Sequence, residues 1–558
     1  MNRNSIPFVA LLLIAGTATT SASAADVPRF GLFERQFEHS GTYANPYTDV
    51  EATAVLEAPG GSTRTIPLFW DGGRTWRLRF SPDCEGTWKW RTASTDSGLN
   101  GESGTFTVVP SDLKGSIRPM RAAPHHFERQ DGTPFWFLGD TAWALYTDSV
   151  EEKHNRSAAV EYVDARAEQG SNVLHSMLLS EAGWGNEGGP PFDDIAAERL
   201  NPGYWQEVDL RLRHVNSRGI VAGLAIAWGD KGRKERYAWK RLPTMEARLR
   251  YARYIAARYS AFDVYFLVSG EWHGEVKTTP GATEESIKRQ FIEIGNALHE
   301  SDPHGRMIGI HPMTAHGSVR EFVGTPWMSF GDYQQNYRDL HGRILASRGG
   351  DLPVVNSEYA YFLRDQNGDG LVDKDNSFNL DGIRRASWDI AMAGGYLVTG
   401  FGTTYFGGNR DPGPFNLEAE KNDPWEEQIQ HLRTFFTSLE WWKLEPHDEL
   451  LTGSFQRDAN GSDRAERDGR RVSLIAPPKR TYWLLADPGK TYVAYVRGNE
   501  GPYEMSWEVR KSHEWKVTLF DPRSGKTRPM KFQADGDGAD FRVPDLQDWA
   551  VLIKRTEN

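Results

Sequence analysis

One rhythm constrains this chain more than any other feature. Eight short apolar runs alternate with polar-faced stretches: PFWFLGD (134–140), NVLHSMLL (172–179), GIVAGLAIAW (219–228), DVYFLVSGE (263–271), RMIGIHP (306–312), PWMSFGDYQ (326–334), PVVNSEY (353–359) and GYLVTGFG (395–402). Runs this apolar suit strands buried on both faces, as in a parallel sheet covered by helices. The stretches between them fit that role. In EESIKRQFIEIGNALHE, Ile287, Phe291, Ile294 and Leu298 recur at helical spacing, and PTMEARLRYARYIAARYS precedes the fourth run. Eight such units predict a (β/α)8 barrel rather than an open sheet. The fifth unit is the least regular, with no clear helical pattern behind RMIGIHP.

At 558 residues the chain is too long for one core, so the barrel must have companions. From Phe30 to Val109 the pattern is one of short alternating runs (EATAVLEA, TRTIPLFW, TWRLRFSP, GTWKWRTAS, SGTFTVVPS) cut by Gly, Pro and Asp turns. Alternation returns after PWEEQIQHLRTFFTSLEWW, in RRVSLIAP, TYWLLADP, TYVAYVRG, WKVTLFDP and DWAVLIKR. The expected fold is multidomain α/β: an immunoglobulin-like β-sandwich over 26–112, a (β/α)8 TIM barrel over 113–443 and a second antiparallel β-sandwich over 444–558. Residues 1–25 combine Arg3, an apolar run from Ile6 to Ala15 and the small exit Ala22-Ser23-Ala24, the layout of a secretory signal peptide. No later stretch approaches the roughly 20 apolar residues that cross a bilayer, so an exported protein, periplasmic or extracellular and free of the membrane after signal removal, is expected. Cys84 stands alone, which excludes an intramolecular disulfide; in a turn between two strand-like runs it is expected as a small buried apolar group.

In a barrel the reacting groups stand at the C-terminal ends of the strands. Glu271 ends VYFLVSGE and Glu358 ends LPVVNSE, each a carboxylate in an otherwise apolar or small setting. Hydrolysis of a glycosidic bond needs one protonated carboxyl for the leaving oxygen and one carboxylate as nucleophile or base. Strands four and seven face one substrate closely enough to supply both. Either glutamate alone could equally be held by an arginine or cap a helix; the pair at these positions favours chemistry. The same rim offers hydrogen-bonding groups and aromatic platforms for sugar rings: Asp140, Trp143, His175, Glu181, Trp228, Asp230, Trp272, His273, His311, Asp332, Tyr333, Gln334, Tyr361 and Tyr405. Asp140 is the third carboxylate of interest, since an acid beside a buried strand is costly unless used or paired.

With these residues in view, the order of an immunoglobulin-like domain, a barrel opening TPFWFLGDTAW and a terminal β-domain resembles the secreted apiosidase-like glycoside hydrolases. More broadly it resembles the retaining barrel glycosidases of clan A. The resemblance spans nearly all of the chain after residue 25, and FLGDTAW is its distinctive motif. It implies Glu271 as acid/base and Glu358 as nucleophile. The wider clan usually has Asn before the acid/base, to hold the sugar 2-hydroxyl; here Gly270 stands in that place, so substrate identity does not carry over.

A net charge of −11 argues against nucleic acid as partner, and the glutamate pair and the resemblance imply a carbohydrate instead. The basic run KGRKERYAWKR (231–241) reads either as a solvated face or as an attractor for an anionic, uronate- or sulfate-bearing polysaccharide. No cofactor is expected for catalysis. In DQNGDGLVDKDN, Asp365, Asn367, Asp369, Leu371 (through its carbonyl) and Asp373 take calcium-loop positions around Gly370, which predicts a structural calcium. Asn376 replaces the usual twelfth-position Glu, and an acidic surface turn is the competing reading. A metal-dependent barrel hydrolase is disfavoured because His125-His126, His175, His273 and His311 lack metal-site spacing. The alternative from another class is a non-catalytic polysaccharide- or matrix-binding protein on a barrel scaffold.

Overall fold

The computed structural model describes residues 26–150, 154–180, 183–232, 235–313, 317–334, 340–348, 350–359, 380–399, 425–452, 464–467, 470–473, 482–497, 503–506, 514–531, 533–535 and 538–556. The signal segment 1–25, the calcium-loop positions 365–376 and the rim residues Glu181, Tyr361 and Tyr405 lie outside these.

Every one of the eight apolar runs contributes a strand to one parallel sheet: Leu138–Thr141, Val173–Met177, Val221–Ala225, Val264–Leu267, Ile308–Gly309, Gly331–Tyr333, Val354–Asn356 and Tyr396–Thr399. Successive strands are neighbours, the eighth lies beside the first, and the fifth and sixth form the two edges. A parallel bridge from Ile308 to Met328 joins those edges and closes the sheet into a barrel. Its interior is packed: Gly223 has no Cβ because the Tyr265 hydroxyl would lie 2.1 Å from one.

Helices cover the outside. Met245–Tyr259 starts where the Thr244 side chain accepts from the Ala247 amide, and Glu284–Glu300 starts at a reciprocal Thr283–Ser286 capping box. The latter buries Ile287, Phe291, Ile294 and Leu298, the face its periodicity predicts. Behind the fifth strand, among the described residues, the helix is the five-residue Ser318–Phe322, which accounts for the weak pattern there.

Two expectations need correction. Only the end of PFWFLGD joins the barrel: Pro134–Phe135 pairs antiparallel with Phe127 and Glu128, in a three-stranded sheet with Ile117–Met120. This sheet floors the N-terminal side of the barrel, where Phe127 packs against Phe137 and Tyr396, each with ring centroids 5.1 Å away. Cys84, expected inside, is exposed. Its carbonyl accepts from the Trp88 indole at 3.0 Å, which fixes the turn with the thiol on the outer side.

The N-terminal segment forms a five-stranded and a three-stranded sheet that enclose Phe33, Leu56, Leu78, Trp88 and Phe106. Buried Arg79 ties it to the barrel through Asp209, which Arg258 also holds at 2.7 Å. The C-terminal segment contributes a six-stranded antiparallel sheet with a four-stranded companion. It leans on helix Leu380–Met392: Trp388 stacks on Tyr495 with centroids 4.9 Å apart, and Arg384 makes paired bonds of 2.8 and 2.6 Å to Asp548. No helix among the described residues is long and apolar enough to cross a membrane.

Candidate active site

Glu271 lies four residues beyond the fourth strand and Glu358 two beyond the seventh, both at C-terminal strand ends and both buried. Glu271 adopts φ +40°, the left-handed region that costs a side-chain-bearing residue about 1–3 kcal/mol and persists only where the surroundings impose it. What imposes it is visible. The Gly229 amide donates to the Gly270 carbonyl at 2.8 Å and the Gly270 amide to the Ala227 carbonyl at 3.0 Å, tying the third-strand loop to the fourth. Trp228 then lies over residue 270, where a Cβ would meet its ring at 2.0 Å. A side chain at position 270 would therefore have to displace the Trp228 ring, which accounts for the glycine there.

Both oxygens of Glu271 are occupied by donors. Lys231 Nζ at 2.6 Å and Trp228 Nε1 at 3.3 Å donate to Oε2, and Gln334 Nε2 donates to Oε1 at 3.1 Å. Burial alone would raise the carboxyl's pKa, but the Lys231 ammonium, with smaller help from charged His311 and Gln334, holds it below the usual glutamate value.

Glu358 is held differently. His311 Nε2 donates to its Oε2 at 3.1 Å, while His311 Nδ1 faces Ser357 Oγ at 2.9 Å and Asp332 Oδ2 at 3.3 Å. Ser357 Oγ also donates to Asp332 Oδ1. Burial works against charge on this imidazole, yet Asp332 and Glu358 on either side push its pKa up to about 10. At neutral pH it is an imidazolium between Asp332 and Glu358, and burial in turn raises the Asp332 carboxyl above its usual value although His311 acts to lower it.

The other rim residues divide. Trp143 sits between the two centres, its ring 4.9 Å from Trp228 and 5.6 Å from His311. Tyr333 lines a recess of about 300 Å³ with Arg320, Glu321, Arg343 and Ser347, and Glu321 reaches back to His273 Nε2 at 3.2 Å. Asp230 pairs with Lys240 at 2.6 Å. Asp140 lies within the first strand and is paired: Arg166 Nε donates to it at 2.7 Å and Tyr162 at 2.5 Å. His175 lies within the second strand, wholly buried; burial and then the charge on His311 drive its pKa well below 6.5, so it is neutral. Trp272 is wholly buried, stacked on His273 at 3.9 Å and edge-on to Phe322 at 5.2 Å. Lys231 and Ser357 were not among the candidates read from the sequence. Lys231 was hidden in the basic run, and Ser357 beside the glutamate it helps to frame. Among the described residues no cluster of His, Cys, Asp or Glu is suited to a metal ion.

The model of the apiosidase-like catalytic domain matches residues 122–443, more than half of the chain and all eight barrel strands. The chain belongs to the apiosidase-like family. Ahead of that catalytic domain, residues 26–95 match a domain of unknown function, DUF5060. A putative glycoside hydrolase from Bacteroides vulgatus ATCC 8482 superposes with a TM-score of 0.72 at 18% identity, over 95% of this chain and 100% of its own. A glycoside hydrolase family 5 structure from the same organism gives 0.61 at 16% identity, over 79% and 93%. A third, described as a glycoside hydrolase, gives 0.61 at 16% identity, over 80% and 98%. At these identities the likeness is one of fold. A comparison with curated proteins gave no match. The apiosidase-like barrel and its neighbours support a glycosidase.

Proposed function

We propose that this apiosidase-like chain is an exported, retaining glycoside hydrolase acting on a plant, algal or microbial polysaccharide or oligosaccharide. The observation that carries the reading is the pair Glu271 and Glu358, buried at the ends of strands four and seven and held by separate donor sets. In the first step Glu358 attacks the anomeric carbon as the glycosidic C–O bond breaks, and Glu271 gives its proton to the departing oxygen. Water then attacks the glycosyl-enzyme, Glu271 takes the water's proton, and Glu358 leaves as a carboxylate. The His311 imidazolium supplies Glu358 with a charged donor, and the buried rings of Trp143 and Trp228 pack beside the two groups. Residues 1–25 direct export, and a calcium ion in the 365–376 loop is structural.

The test is turnover of a panel of oligosaccharides by the wild type and by Glu358→Gln, with proton NMR of the first product formed. The expected result is a product of unchanged anomeric configuration, and loss of about 10⁴-fold or more in kcat in the variant with thermal stability intact. An inverted product refutes the double displacement. Full activity in Glu358→Gln removes that residue from the mechanism.

A further inference from the structure

A general acid must hold a proton where the leaving oxygen will be. Glu271 is arranged for the opposite state, with three donors on its two oxygens and one of them a cation. A proton on Oε2 would face the Lys231 ammonium 2.6 Å away. Of the three donors, Trp228 is fixed by its fit over Gly270, and Gln334 is an uncharged amide on the sixth-strand end. Lys231 alone carries charge on a long flexible stem. Its side chain is about 10% exposed, so the ammonium keeps some access to solvent while it holds the carboxylate.

The other described cations of the basic run do not share this place. Lys240 is held by Asp230 at 2.6 Å, Arg241 donates to the Glu235 carbonyl at 3.1 Å, and Arg236 lies over the Tyr237 ring at 5.5 Å. Of the described members of the run, Lys231 is the one that reaches Glu271. Among the described residues, the charged groups that act most on Glu271 are Lys231, from the loop after strand three, and His311, from the end of strand five. Beside them, Arg320 and Arg343 line the adjoining recess.

Resting on the glycosidase reading above, we propose that Lys231 is a displaceable counter-ion of Glu271, and that an anionic substituent on the sugar draws it away as substrate enters. The anion is a uronate carboxylate or a sulfate ester, and it replaces the glutamate as partner of the ammonium. Relieved of the cation in a buried site, Glu271 takes up a proton and becomes competent as the acid. A neutral sugar leaves Lys231 in place and Glu271 ionised. Lys231 is then a positioning residue that couples substrate charge to the protonation of the acid, so the site selects for acidic sugars through rate as well as affinity.

The experiment follows the Glu271 carboxyl by carbon NMR in the full chain labelled with [5-¹³C]glutamate, the resonance assigned by its absence in Glu271→Gln. Wild-type protein, Lys231→Met and Lys231→Arg are titrated alone and with saturating D-glucuronate, glucose 6-sulfate or glucose. The expected result is a midpoint about one pH unit or more higher in Lys231→Met, and close to wild type in Lys231→Arg, which keeps the charge. Glucuronate or the sulfate should raise the wild-type midpoint in the same direction, the stronger of the two naming the anion, while glucose leaves it unchanged. An unchanged midpoint in Lys231→Met, or an equal response to glucose and the anions, overturns the proposal. If Lys231→Met fails to fold, the wild-type ligand arms decide alone. These readouts need no turnover, so a chain that cleaves no glycoside but shows the shift loses the catalytic reading and keeps the counter-ion.

Discussion

His311 offers the most direct check on the electrostatics of the site. It is wholly buried, with Asp332 on one nitrogen and Glu358 on the other, and its pKa is pushed up from 6.5 to about 10. At 1.36 kcal/mol per pH unit, that interval is worth about 5 kcal/mol of folding free energy, an upper bound because it offsets the desolvation of the carboxylates it serves. The folded-state value lies above the unfolded one. The contribution is therefore complete below pH about 6.5 and is lost as pH rises through about 10. Replacing His311 with Gln keeps one donor and removes the charge. Denaturant unfolding followed by tryptophan fluorescence, at pH steps from 6 to 10, should show Gln about 3–5 kcal/mol less stable at pH 6.5, the cost of leaving a buried pair without its cation. The gap should narrow steadily toward pH 10. Tyrosines and lysines titrating in that range act on both proteins and cancel in the difference. Two curves that run parallel from pH 6 to 10 would refute an imidazolium at position 311.

Two further outcomes follow from the packing. Gly270→Ala places a methyl where the Trp228 ring lies 2.0 Å away, so calorimetry should show a loss of about 1–3 kcal/mol, together with a fall in kcat as Trp228 leaves Glu271. Arg166→Met strands Asp140 without its cation inside the first strand; thermal unfolding should report about 3–5 kcal/mol, largely recovered when Asp140→Asn is added.

What the sequence made legible was what periodicity encodes. All eight strands were visible because a strand buried on both faces has no polar side to interrupt it, and Glu271 and Glu358 stood out because each ends such a run. Legibility failed where long-range pairing decides. Nothing in PFWFLGD says that Pro134–Phe135 belongs to another sheet, since both halves are equally apolar. Nothing near Asp140 names Arg166, 26 residues on, as its partner. Gly270 read as a departure from a family pattern, and the reason lies on the adjacent strand in Trp228. Lys231 was submerged in a run of like charges because sequence alone does not say which cation turns inward.

The contact between helix Leu380–Met392 and the C-terminal sheet bears on how such a chain could be taken apart. Trp388 is shared, packed between Phe436 of the barrel at 5.6 Å and Tyr495 and Phe520 of the sheet at 4.9 and 6.0 Å. Asp548, wholly buried, finds its cation in Arg384 on that helix. Cutting the chain after the barrel would bare an indole and leave Arg384 with Asp381 and Gln428 but without its buried carboxylate partner, on the helix that runs between the seventh and eighth strands. The C-terminal sheet is thus not an appendage to be shuffled among enzymes or trimmed for crystallisation. Barrel and sheet share one packed seam, and a catalytic domain cut free of its tail would lose the stability that seam supplies.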